Sequence, residues 1–163
     1  MKSLLIVRHA KSSWDDINLS DFERPLNSRG KRDAPLMANL AKTLDLIPQI
    51  IYTSPAVRAL TTAQVFQEMF NNSIPLIENK EIYHASELVL EDIIKDFDNQ
   101  YNYIALFGHN PGLSFLIEKL TNRKIWDVPT CGMVNFKFNC NEWSKVLDCI
   151  NNFSHYFPKD GLD

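Results

Sequence analysis

Ser3-Leu4-Leu5-Ile6-Val7 is an unbroken apolar run that stops at Arg8. A short run without alternation predicts a strand buried on both faces, as in a parallel sheet. Ile50-Ile51-Tyr52-Thr53 and Tyr103-Ile104-Ala105-Leu106-Phe107 repeat the pattern, and a shorter strand fits Ile74 to Ile77. Helical spacing lies between these runs. Ala34, Met37, Ala38, Ala41 and Leu44 predict a helix over Gly30 to Leu46, ended by Pro48. Ser54-Pro55 predicts an N-cap and a first-turn proline for a helix reaching about Phe70. Leu88, Leu90, Ile93 and Ile94 predict a helix over Glu87 to Phe97, and Pro111 opens another that ends near Leu120. Trp14 to Arg29 is polar and aperiodic and predicts a loop. After Pro129, two apolar groups flank Cys140-Asn141: Met133, Phe136 and Phe138, then Trp143, Val146, Leu147 and Ile150. They predict a closing antiparallel hairpin, with a partly loose tail from Asn151 to Asp163. Strands alternating with helices predict an α/β fold around a mostly parallel sheet. Without a repeat, a low-complexity stretch or a linker, the 163 residues are expected to form a single domain, 1–163.

Composition narrows the function. At 45% hydrophobic and 23% charged residues the chain is of ordinary globular make-up. A net charge of −3 gives no basic excess for nucleic acid or an anionic membrane surface, so neither is an expected partner. An anionic substrate would then need a local positive pocket. The apolar start is too short for a secretory signal or a membrane span, which makes the cytoplasm the expected compartment. Cys131, Cys140 and Cys149 lack the close spacing of a zinc site and are expected to be reduced packing or surface cysteines.

In parallel α/β sheets, ligands bind beyond the carboxyl ends of the strands. The first strand delivers Arg8 and His9 there. The second delivers Ser54 and, one helical turn in, Arg58; the Tyr103–Phe107 strand delivers His109 and Asn110. Each has a plainer reading: His9 as a capped strand-end histidine, Arg58 as a solvated helix arginine, His109 as a cap for the helix it precedes. Together they put two arginines, two histidines and two helix N-termini on one rim, an arrangement suited to a phosphoryl group.

These residues resemble the histidine phosphatase superfamily, the phosphoglycerate mutase-like fold. Leu5-Ile6-Val7-Arg8-His9-Ala10 is similar to its signature strand, with alanine in place of the usual glycine. Thr53-Ser54-Pro55-Ala56-Val57-Arg58-Ala59 with Thr61-Thr62-Ala63 resembles its second arginine motif, and Gly108-His109-Asn110-Pro111 its second histidine motif. Arg8-His9-Ala10-Lys11-Ser12, Asp21-Phe22-Glu23-Arg24-Pro25-Leu26-Asn27 and Tyr83-His84-Ala85-Ser86 are similar to the SixA-type branch, small phosphatases associated with protein phosphohistidine. The resemblance implies a three-layer α/β/α architecture without a large helical cap. It implies that His9 becomes transiently phosphorylated while Arg8, Arg58 and His109 bind the phosphoryl oxygens, with no cofactor.

General chemistry agrees. Neutral imidazole is a good nucleophile, guanidinium forks fit phosphate oxygens, and arginines can supply the positive charge that phosphoryl transfer needs. No carboxylate cluster has metal-ligand spacing, so no metal is expected. Two positions depart from the family pattern. Asp15 stands where an asparagine often contacts phosphate, which leaves Ser12, with Asn110, as the expected extra contacts. The family's usual acidic proton donor is replaced most closely by His84, with Glu81 and Glu87 as rivals. A missing carboxylic acid tilts the expected substrate toward protein phosphohistidine or another phosphoramidate, whose nitrogen leaving group is easily protonated. The alternatives are a phosphatase of small phosphorylated molecules and a non-catalytic phosphate- or phosphoprotein-binding module.

Overall fold

The computed structural model describes residues 1–124 and 127–158. Its sheet contains β1 (Lys2–Arg8), β2 (Ile50–Thr53), β3 (Leu76–Glu78), β4 (Tyr103–Gly108), β5 (Met133–Phe138) and β6 (Ile150–Tyr156), in the order β3-β2-β4-β1-β5-β6. The first four run parallel, and β5 and β6 join antiparallel on the β1 side. Among the described residues the α-helices are α1 (Ser28–Thr43), α2 (Val57–Met69), α3 (Glu87–Lys95) and α4 (Gly112–Thr121).

The absence of alternation in β1 and β4 follows from their two covered faces. Leu4 and Ile6 with Ile104 and Leu106 pack among residues of α3 and α4, including Leu90, Ile94, Leu113 and Leu116. Leu5 and Val7 with Ala105 and Phe107 pack on the other face among α1 and α2 residues, including Ala34, Ala38, Ala63 and Phe66. The result is the expected α/β/α layering around a mixed sheet. Among the described residues, no helix is long and apolar enough to cross a membrane.

Several boundaries differ from the sequence expectation. Trp143–Asp148 is a 3₁₀ turn, not the second hairpin strand; Trp143 is fully buried and its indole N–H donates to the Tyr101 carbonyl at 2.9 Å. The strand that pairs with β5 is Ile150–Tyr156, within the segment expected to be loose, because its backbone completes the β5 ladder. The remainder of that tail, 159–163, lies outside the described residues. The third strand is shifted to Leu76–Glu78. α1 begins at Ser28, before Gly30, because the Asn27 side chain accepts from the Gly30 N–H at 2.9 Å. Ser54 does not cap α2. The N-cap is Ala56, without a side-chain bond, and the Ser54 hydroxyl is engaged elsewhere.

A buried lysine sits at the opposite end of the sheet from His9. Lys2 is fully buried, yet its Nζ donates to the carbonyls of Asn99 (2.8 Å) and Tyr101 (2.9 Å) and to Asn102 Oδ1 (3.1 Å). Three acceptors match the three ammonium N–H groups, which makes burial tolerable.

Gly30 fixes how closely α1 approaches the loop after β1. A β-carbon there would stand 2.2 Å from the Lys11 carbonyl oxygen, a backbone atom that cannot swing away. Gly30→Ala is therefore expected to destabilise the protein by about 1–3 kcal/mol, even though alanine is the better helix former by about 1 kcal/mol. Chemical denaturation reads this directly, and an unchanged or raised midpoint would contradict the close approach.

Candidate active site

Parallel register builds the site. Val7 and Thr53 both pair with Phe107, and Arg8 pairs with Gly108, so the residues just past β1, β4 and β2 emerge side by side. The ladder extends one step further: the His9 N–H donates to the Gly108 carbonyl and the Ser54 N–H to the Phe107 carbonyl, each at 3.1 Å. His9 and His109 thereby come within 5.1 Å, centroid to centroid. α2 is tied to the same loop by Thr62, whose hydroxyl donates to the Arg58 carbonyl (2.6 Å) and accepts from the Ala10 N–H (3.0 Å). Gly112 lets the start of α4 lie against the Tyr83–Ala85 turn, since a β-carbon there would be 2.0 Å from the Ala85 carbonyl oxygen.

His9 is buried, and one ring nitrogen, Nδ1, lies 2.8 Å from its neighbour's carbonyl, Ala10 O. Only an Nδ1–H can bond a carbonyl, which leaves the lone pair on Nε2. Nε2 accepts from Arg58 Nε at 3.3 Å. Burial pushes the His9 pKa down to about 3; the Ala10 carbonyl opposes this, and the charges of Arg58, Arg8 and Arg24 add to it. His109 is lowered to about 2, mainly by burial and then by the proximity of His9, Arg58 and His84. Both imidazoles are neutral at pH 7, so the His9 Nε2 lone pair is unprotonated and can act as a nucleophile once a phosphoryl group replaces the Arg58 contact.

Arg58 is the buried cation beside that nucleophile. Its Nη1 donates to the Asp21 carbonyl and its Nη2 to Asp21 Oδ2 at 2.9 Å. The same carboxylate accepts from Arg24 Nη1 (3.0 Å) and Tyr83 Oη (2.8 Å), and His84 Nε2 lies 3.1 Å away. Burial pushes the Asp21 carboxyl up, but bonds from Tyr83 and Arg58, the Arg58 charge and a bond from Arg24 outweigh it. They hold Asp21 well below the usual carboxylate range. Arg24 is buried, bonds Ser12 Oγ (2.6 Å) and the Ser13 carbonyl (2.9 Å), and has Trp14 stacked 3.2 Å from its guanidinium carbon.

The sequence-predicted residues divide into groups. His9, Arg58 and His109 converge directly. Arg8 stands on the neighbouring side, donating to the Val128 carbonyl (2.6 Å) and Asp127 Oδ2 (3.3 Å). Ser12 is buried at the rim, where its hydroxyl receives Arg24. The Asn110 amide nitrogen is taken by Asp127 and by the Val128 carbonyl at 3.0 Å, so Asn110 holds the loop before β5. His84 is at the mouth in left-handed backbone, φ 53°, uncommon for a side-chain-bearing residue, and stacks on Tyr83 at 4.1 Å. Its rivals are elsewhere: Glu81 lines a cavity with Tyr52 and Asp92, and Glu87 lies on the surface with Phe115 and Lys119. Asp15 is exposed on the loop.

Asp21, Arg24, Tyr83 and Asp127 are the site residues that sequence reasoning missed. The first two lay in the recognised Asp21–Asn27 segment, and a polar i, i+3 pair in an aperiodic stretch was the available signal. Among the described residues, no group of three or more His, Cys, Asp or Glu side chains is arranged to hold a metal. The positive charge here comes from guanidinium groups.

A family model of the histidine phosphatase superfamily (branch 1) matches residues 4–86. The chain belongs to that superfamily. A SixA-type protein of Agrobacterium tumefaciens superposes with a TM-score of 0.79 at 27% identity, covering 84% of this chain and 92% of that one. A SixA protein histidine phosphatase solved with tungstate gives 0.77 at 19% identity over 95% and 94%, a likeness of fold. An uncharacterized chloroplastic protein of Arabidopsis thaliana is 27% identical over 159 residues, 90% of this chain and 71% of its own length. Phosphoglycerate mutase 1 of Saccharomyces cerevisiae is 33% identical over 70 residues, and the match spans only 28% of that enzyme. The superfamily and the SixA-type fold are thus those the sequence resemblance implied.

The depressed histidine pKa values predict how stability follows pH. An unfolded histidine takes up a proton below about 6.5, whereas folded His9 resists protonation down to about 3. Its contribution is fully present above pH 6.5 and is lost as pH falls toward 3, and His109 behaves alike. The slope is about 1.4 kcal/mol per pH unit for each group. Denaturation between pH 7 and 4.5 should show the loss, with a shallower slope in His9→Gln; equal slopes would mean that His9 is not held neutral.

Proposed function

We propose that the chain is a phosphatase that passes the phosphoryl group through His9, without a metal, and acts on protein phosphohistidine or another phosphoramidate. The observation that carries this reading is the His9 imidazole, neutral, anchored through Nδ1–H on Ala10 O and carrying its lone pair on Nε2 beside Arg58. Nε2 attacks phosphorus and the bond to the leaving atom breaks. The leaving group takes a proton, and water then attacks the phosphorylated imidazole to release phosphate and restore His9. Arg58 and Arg8, with His109, compensate the charge on the phosphoryl oxygens. In the resting site Asp21 and Asp127 are bound to these arginines, so the incoming anion exchanges with carboxylates.

The substrate class follows from the proton. Asp21 is the carboxyl group bonded to Arg58 beside the nucleophile, and its donors hold it ionised, unfit to act as an acid near pH 7. A phosphohistidine leaves as an imidazole, which is easily protonated, whereas an alkyl phosphate leaves as a strongly basic alkoxide. His84 remains as the proton donor at the mouth, oriented by its contact with Asp21.

His9→Ala is expected to lower kcat by at least ~10³-fold on a phosphoramidate and to abolish acid-labile, base-stable labelling of the protein by a radioactive phosphoryl donor. Near-normal turnover in that variant would rule out covalent catalysis through His9. Phosphate binding with neither labelling nor turnover in the unaltered protein would favour a binding module.

His84→Ala separates the substrate classes. Its kcat should fall by less than ~10-fold on phosphohistidine or phosphoramidate, and by ~10²-fold or more on an alkyl phosphate that needs general-acid help. Comparing both substrates on one pair of proteins cancels any folding defect. Equal losses would defeat the leaving-group argument and favour a small-molecule phosphomonoesterase.

A further inference from the structure

Ser54 is not needed as a helix cap, yet it is among the most tightly held residues of the site. It is completely buried. Its N–H donates to the Phe107 carbonyl at 3.1 Å, and its own carbonyl accepts from Thr53 Oγ1 at 3.0 Å. Its hydroxyl oxygen accepts from the Ala56 N–H at 3.3 Å and lies 2.7 Å from Nε2 of His109. The other His109 nitrogen, Nδ1, is buried without a hydrogen-bond partner among the described residues. The ring that carries it is bordered by His9 at 5.1 Å, Tyr83 at 5.6 Å and His84 at 6.1 Å, the walls of the site.

Two proton arrangements fit the 2.7 Å contact, and they differ in what they leave unsatisfied. If His109 carried its proton on Nε2, the Ser54 oxygen would receive two N–H groups. Its own O–H would then be buried with no other acceptor among the described residues, a costly state. Nδ1 would present a bare lone pair to the site, repelling an anionic oxygen. If Ser54 donates to Nε2, its oxygen still accepts from Ala56 and its proton is used. Nδ1 then carries the hydrogen, and the one unspent group is a donor facing the place where an anion would bind.

We propose that Ser54 is a positioning residue that fixes His109 as the Nδ1–H tautomer, so that a neutral imidazole offers a hydrogen-bond donor to the phosphoryl group. This rests on the proposed phosphoryl site at His9. A neutral donor has a specific use there. A charged imidazolium 5.1 Å from His9 would draw electron density from the nucleophile, whereas a neutral N–H grips the phosphoryl oxygen without adding a positive charge beside His9. The backbone bonds of Ser54 also transmit the register of β2 and β4 to the tautomer: a shift between those strands would move the hydroxyl away from Nε2.

The test reads the tautomer itself. The full chain, labelled with ¹⁵N-histidine, is observed at pH 7 by two-bond ¹H–¹⁵N correlation, with the His109 signals assigned by their loss in His109→Gln. The expected pattern is a protonated, pyrrole-type Nδ1 and an unprotonated, pyridine-type Nε2. In Ser54→Ala the signals should move toward the Nε2–H form, while Ser54→Thr, which keeps a hydroxyl, should retain the original pattern. Inorganic phosphate, titrated into the same samples, should bind about 10-fold more weakly to Ser54→Ala. A protonated His109 Nε2 in the unaltered protein overturns the proposal even if neither Ser54 variant folds, and so does an unchanged tautomer in Ser54→Ala. Failure of the unaltered protein to bind phosphate would instead strike at the proposed function, leaving the tautomer pattern to be judged on its own.

Discussion

The arrangement depends on the backbone ladder through β1 and β4. β1 is paired along its length with β4 on one side and β5 on the other, and both of its faces are buried. That constraint does two jobs at once. It centres the core, with Leu4 and Ile6 turned to one helix layer and Leu5 and Val7 to the other. It also sets the height at which Arg8 and His9 leave the sheet relative to His109 and Ser54. A slip of one residue would reverse the faces of β1 and separate the two histidines, so core and site share one register. Stability and site geometry are thus specified by the same hydrogen bonds.

Around that frame the electrostatics are arranged to keep nitrogen neutral and oxygen charged. His9 and His109 are buried among guanidinium groups, which disfavour a further positive charge. Asp21 has many donors and stays ionised despite partial burial. The arginines in turn are held in place by carboxylates and backbone carbonyls, so their charge is positioned before any ligand arrives. Such preorganisation costs folding stability at acid pH and reduces the rearrangement needed when a phosphoryl group binds.

The mouth of the site is made from pieces distant in sequence. The loop with Ser12, Trp14, Asp21 and Arg24 meets the Tyr83–Ala85 turn through the Asp21 carboxylate and an edge-on contact of Phe22 with Tyr83, and Gly112 allows α4 to close against that turn. Trp14 covers one face of Arg24 while Ser12, Ser13 and Asp21 take its edge. Between β3 and α3 lie a one-turn 3₁₀ segment, Lys80–Ile82, and the turn with Tyr83 and His84.

The chain's own pattern determined the α/β class, the parallel core strands, four helices, and the strand-end placement of Arg8, His9, Arg58 and His109. These are local signals: unbroken apolar runs, 3.6-residue spacing, and polar residues directly after a buried strand. The sequence resemblance added the superfamily. Tertiary structure alone decided that Ser54 serves His109 and not a helix end, because that bond spans 55 positions and depends on β2 lying beside β4. It alone brought Asp21, Arg24 and Tyr83 into the site, since an aperiodic loop carries no period from which a partner can be read. The same holds at the far end of the sheet. Lys2 is buried because three acceptors near residue 100 meet its ammonium group, partners that lie outside any local pattern. Trp143 reads as a strand residue but takes a 3₁₀ turn, and β6 forms from what reads as a tail, because the open edge of β5 supplies backbone partners that no local pattern encodes.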